Sequence, residues 1–167
     1  MAEAVNWLVC AFLIGAGATV VMDLWALTLN RLGGVATPNY GLVGRWVAYM
    51  PQGRFRHDSI SASAPMPLER VIGWIAHYLV GITFASLLLA MWGIEWAREP
   101  TIGPALIVGI GTVAAPFFLM QPGMGAGIAA SRTPRPSAAR IRSVITHGVF
   151  GIGLYVAAWV TSFLSAL

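Results

Sequence analysis

Two histidines sit inside long apolar runs. His77 lies in "RVIGWIAHYLVG", seven residues after Arg70, and His147 in "RSVITHGVFG", five residues after Arg142. A third apolar run carries a carboxylate, Asp23, in "VVMDLWAL", about two turns before Arg31. At ~1.5 Å per residue, Asp23 is roughly 10–12 Å inside the edge of its helix. Gln121 closes a fourth run at the corresponding end. Asp23, His77, Gln121 and His147 are therefore the candidate ligand- or proton-binding residues, one from each apolar run.

Three chemistries fit this set. Asp and His can carry protons in a proton or small-solute pathway. His77, His147 and Asp23 could hold a transition metal as a His/carboxylate set, or the two histidines could ligate a haem b. The blandest reading is a hydrogen-bonded polar knot that specifies packing. An ionisable group in hydrocarbon is costly unless paired. Asp23 is therefore expected within direct or one-water reach of His77 or His147.

The helices that would position these residues follow from composition. The 167 residues are 57% hydrophobic and 10% charged. A soluble domain carries about 25% charged residues, so a bilayer solvent is implied. About 20 apolar residues are needed per span, and four stretches qualify: about 5–29, 71–92, 102–120 and 144–164. The expected fold is all-α, a polytopic membrane protein of four transmembrane helices forming a single domain over 1–167. The first run lacks a basic n-region and is too long for a cleavable signal peptide.

Nine of the ten arginines lie between runs one and two or between runs three and four. Cytoplasmic loops collect Lys and Arg. The loop of about 30–70 and the loop after run three are thus expected in the cytoplasm, with both termini periplasmic, in the bacterial inner membrane. This accounts for a net charge of +4 without a nucleic-acid partner. Trp7, Trp92 and Trp96 near the outer ends, and Trp25 and Trp74 near the inner ends, fit an aromatic belt. Residues 40–50, "YGLVGRWVAYM", read as a short interfacial helix.

The two histidine segments also align. Gly73-x3-His77-x3-Gly81 matches Ser143-x3-His147-x3-Gly151, and "GAGATVV" at Gly15 resembles "GIGTVAA" at Gly109. The spacing suggests an internal two-fold repeat of helix pairs. Small residues four apart share a helix face and mark close packing in lipid. Asp23 shares such a face with Gly15 and Thr19.

Weaker signals complete the list. "GRFRHDSI" offers Arg54, Arg56 and His57 as contacts for anionic lipid headgroups or another anion. Cys10 has no partner for an internal disulfide. "GMGAG" follows no strand and is not a dinucleotide fingerprint. No HExxH, GxSxG or Walker pattern occurs, which weighs against an enzyme. The favoured function is a small-solute or proton-linked binding or transport module. The alternatives are a metal- or haem-binding membrane subunit and a structural membrane protein. A homodimer would supply bulk that four helices lack for a solute pathway.

The motifs "GATVVMDLWAL", "NYGLVGRW", "GRFRHDSI", "GWIAHYLVG", "PFFLMQPGMGAGIAASRTPRP" and "THGVFGIGLY" together resemble the bacterial membrane proteins called domain of unknown function 2938. The resemblance spans nearly the whole chain. It implies a small inner-membrane protein and brings neither an activity nor catalytic residues.

Overall fold

A computed structural model describes residues 2–165. Seven helices follow in order: α1 Ala2–Gly33, α2 Tyr40–Tyr49, α3 Glu69–Trp92, α4 Glu95–Arg98, α5 Ile102–Gly111, α6 Gln121–Gly123 and α7 Pro136–Ser165. No strand occurs among the described residues, and the fold is all-α. Four stretches are long and apolar enough to cross a membrane: Asn6–Gly33, Glu69–Trp92, Ile102–Gly123 and Pro136–Leu164.

These match the four runs expected from sequence, with two differences. The last helix begins at Pro136, ahead of the apolar run. Pro suits the first helical turn, where no N–H partner is needed, and "SAARIR" is rich in helix formers that hydropathy does not count. The third span is not one regular helix. α5 stops at Gly111, and a five-residue π turn over Pro116–Met120 precedes α6. Pro116 has no N–H to donate back along the helix, so the ladder skips there and resumes with Phe117 N–H donating to the Val113 carbonyl at 3.1 Å.

The described chain forms two compact units. One comprises Met1–Thr37, Tyr78–Thr112 and Ile145–Leu167; the other comprises Pro38–His77 and Val113–Val144. The first, here the bundle unit, is built from helix faces. Its core holds Ile14, Leu88, Leu89, Phe150 and Leu154 with Ala11, Ala18, Ala85, Ala105 and Ala158. Leu8, Phe12, Leu24, Leu79, Ile107, Trp159 and Phe163 point outward. Large apolar side chains on the outside, with alanines set among larger residues in the core, is an arrangement that lipid permits, because small residues let helix backbones approach closely.

Two crossings in the bundle unit are alike. A Cβ on Gly15 of α1 would stand 2.8 Å from the Gly81 oxygen and the Ile82 nitrogen of α3. A Cβ on Gly109 of α5 would stand 2.6 Å from the Gly151 nitrogen and 2.9 Å from the His147 oxygen of α7. Gly15 and Gly109, like Gly81 and Gly151, are the pairs that the sequence alignment equates. Trp96 departs from the belt expectation. It is only 6% exposed and belongs to the core, its indole N–H donating to the Thr101 carbonyl at 3.2 Å. The short link after α3 folds back on the core instead of standing at a lipid surface.

The second unit, here the arginine-rich unit, contains eight of the ten arginines and two of the six carboxylates. Asn39 caps α2 by accepting from the Gly41 N–H at 3.0 Å, the role that favours Asn at a helix start. α2 does not merely rest on an interface. A Cβ on Gly44 would stand 2.5 Å from the Gly73 nitrogen, and one on Gly73 would stand 2.6 Å from the Tyr40 carbonyl carbon. The glycines let α2 cross the first turns of α3 backbone to backbone.

Candidate functional site

In the bundle unit, Asp23 accepts a hydrogen bond from the Tyr78 hydroxyl at 3.2 Å. The phenol is a neutral donor that stabilises a carboxylate without adding charge. Tyr78 is the residue after His77, and nothing in its local sequence marks it as the partner of Asp23. His147 is fixed differently. Its Nδ1 lies 3.1 Å from the Thr112 hydroxyl and 3.3 Å from the Gly109 carbonyl. The Thr112 hydroxyl itself donates to the Gly109 carbonyl at 2.7 Å. With that proton committed, Thr112 can only accept, so Nδ1 carries the hydrogen. His147 is thus orientated by the same glycine that permits the helix crossing.

His77 and Gln121 belong to the arginine-rich unit. The His77 ring stacks on Tyr40 with centroids 4.2 Å apart and an interplanar angle of 25°, with Trp74 edge-on at 5.9 Å. The aligned histidines therefore have unlike partners: an aromatic face for His77, a hydroxyl and a carbonyl for His147. Gln121 follows the π turn directly, and its Oε1 is buried with no hydrogen-bond partner. Among the described residues, no group of three or more His, Cys, Asp and Glu side chains is placed to hold a metal ion.

The most elaborate side-chain network was not singled out by sequence. Arg45 on α2 grips Glu69 at the head of α3 through both carboxylate oxygens, Nε to Oε2 at 2.7 Å and Nη2 to Oε1 at 2.9 Å. Its Nη1 donates to the carbonyls of Ser63 at 2.8 Å and Ile60 at 3.3 Å. The hydrogen bond to Glu69 holds the guanidinium pKa above its already high ordinary value. A planar fork with five donors is the one side chain able to bind a carboxylate and several carbonyls together. In sequence Arg45 was one more vote for membrane orientation, since nothing local marks it as buried.

Arg45 thereby holds the 54–66 loop, on which His57 is buried at 8% exposure. The loop is also tied to the segment after α6. His57 N–H donates to the Gly123 carbonyl at 2.9 Å and Ile60 N–H to the Met124 carbonyl at 3.0 Å. Gly125, at φ +94°, sits where a Cβ would be 2.6 Å from the Asp58 carbonyl carbon, so both backbone angle and space demand glycine. The His57 ring packs against Tyr49 at 5.0 Å, and Arg54 lies over the other partner of that stack, 4.8 Å from the Tyr49 ring centre. Arg54 and Arg56 are exposed. Of the three residues expected to contact anions, two are on the surface and His57 is beneath it.

No curated protein and no solved structure matches the chain. The family model described as "Protein of unknown function (DUF2938)" matches residues 12–161. The match takes in the second and third apolar spans, most of the first and last, the Asp23–Tyr78 contact and the Arg45-braced loop, and the chain belongs to that family.

Proposed function

We propose that this chain is a multi-pass inner-membrane protein that binds or conducts a small solute in a proton-linked manner, with Asp23 as the ionisable group. The observation that carries the reading is the carboxylate of Asp23, placed within an apolar span and held by the Tyr78 hydroxyl. Ionisable side chains at such positions are expensive to keep and serve transfer or binding by default. His147, in the same unit, supplies a second titratable group. The arginine distribution supports an orientation with the loop around His57 and Asp58 in the cytoplasm and both termini in the periplasm.

The test is proton flux into proteoliposomes carrying a lumenal pH dye. Wild-type protein is expected to conduct. Asp23→Asn should abolish the flux, and Tyr78→Phe should lower it while keeping the carboxylate. Equal flux with Asp23→Asn would leave Asp23 a packing residue. Orientation is read separately by labelling Ser59→Cys in intact cells, where an impermeant thiol reagent should fail to react. Labelling from outside would reverse the topology.

A further inference from the structure

His57 is more than nine-tenths buried, and its Nε2 is inaccessible and has no hydrogen-bond partner. The other ring nitrogen is engaged: Nδ1 lies 3.0 Å from the Ser63 hydroxyl. That hydroxyl has one proton and donates it to the Ser59 carbonyl at 3.3 Å. Ser63 therefore accepts from His57, and Nδ1 carries the hydrogen. The neutral ring then holds a bare lone pair at Nε2. The loop around Ser59 and Ser63 is held by the Arg45 grip on the Ile60 and Ser63 carbonyls, so the ring is built into place.

A buried polar atom without a partner is costly, and the charge of its surroundings says what would relieve the cost. The groups around the ring are few. On its own segment they are Arg54, Arg56 and Asp58; on α2 they are Tyr49 and Arg45; Arg45 is neutralised by Glu69 of α3; and residues 121–125 contain no titratable group. Arg54 and Arg56 are exposed, within a unit where arginines outnumber carboxylates eight to two. That field selects an anion over a cation. An anion needs donors, and a second proton on His57 turns Nε2 from acceptor to donor while leaving the Ser63 bond intact. The segment that leads to the ring leaves Gly53 at φ +74° and keeps Arg54 and Arg56 exposed, with Arg54 over the Tyr49 ring against which His57 packs.

We propose that His57, with Arg54 and Arg56, forms a binding site for a phosphoryl oxyanion, and that anion binding is coupled to uptake of a proton at His57 Nε2. Arginine forks match phosphate oxygens, and a phosphoryl group has oxygens enough for both arginines and the imidazolium. The proton comes from solvent and no bond other than N–H is made. The site is separate from Asp23 and stands or falls without it.

The experiment is calorimetric titration of the full-length protein with inorganic phosphate, in two buffers of different ionisation enthalpy, at alkaline pH. A parallel arm uses nanodiscs containing phosphatidic acid against phosphatidylcholine alone. Proton uptake on binding is expected in wild type, with phosphate if the ligand is free and with phosphatidic acid if it is a lipid headgroup. His57→Gln should remove the uptake and weaken binding on the order of tenfold. Arg54→Gln with Arg56→Gln should weaken binding but keep the uptake. The wild-type measurement alone decides if His57→Gln does not fold. Binding without proton uptake, or no binding of either anion, overturns the proposal.

Discussion

The bundle unit and the arginine-rich unit solve one problem in two ways. Both must satisfy backbone polar groups in a chain with little polar surface. In the bundle unit the helices do it internally, and side-chain hydroxyls follow suit: Thr19 donates to the Gly15 carbonyl and Thr161 to the Ala157 carbonyl, both at 2.8 Å. What remains for tertiary contact is shape, so the critical residues are glycine and alanine. In the arginine-rich unit much of the backbone is irregular, and its carbonyls look outside their own segment for donors. There the critical residue is Arg45, which serves Glu69 and the loop carbonyls together. A close helix crossing is decided by what is absent from a side chain, whereas a folded loop is decided by what one long side chain can reach.

Substitutions at the crossings should give the largest effects. Gly109→Ala and Gly15→Ala place a Cβ against backbone that cannot move aside, and each should cost about 1–3 kcal/mol of stability in thermal unfolding in detergent. Gly81→Leu should be worse than Val80→Leu, because Gly81 faces Thr19 and the Gly15 carbonyl while Val80 is 48% exposed. Equal stability of those two variants would remove the small-residue face from the account.

Arg45→Met tests whether the units differ in kind. Hydrogen exchange should rise in the 54–66 loop while amides near Leu88 and Leu154 stay protected. Arg45→Lys should not rescue the loop, since an ammonium lacks the fork. Simultaneous loss of protection in both units would mean that Arg45 governs the whole fold, and the comparison would fail.

Smaller effects sharpen the contrast. Thr112→Val keeps the shape of the side chain but deletes the hydroxyl that faces His147 Nδ1. It should cost about 1 kcal/mol and alter the His147 imidazole nitrogen resonances. Unchanged resonances would show that the Gly109 carbonyl alone holds the ring. At the bottom of the scale, Gly148 lies inside α7 with nothing within 4 Å of a Cβ. Gly148→Ala should stabilise by roughly 0.5–1 kcal/mol, the opposite sign to Gly109→Ala. A destabilising result would reveal a contact on that face.

Composition and spacing by themselves determined the four apolar spans, the all-α class, the family resemblance and the glycines at the crossings. These properties are local or periodic: hydropathy sums along the chain, and residues four apart share a face whatever they later touch. Aspartate in an apolar run was likewise visible as an oddity. That the Tyr78 hydroxyl meets it was not, because Tyr78 and Asp23 are 55 positions apart and a tyrosine carries no mark of its partner. The same holds for Arg45, which shared its type with nine other arginines until its fork was seen closing on Glu69. His77 and His147 occupy matching places in matching motifs, yet one stacks on Tyr40 and the other bonds Thr112. Spacing sets the face on which a side chain stands. The element packed against that face decides its chemistry, and that choice belongs to the tertiary structure alone.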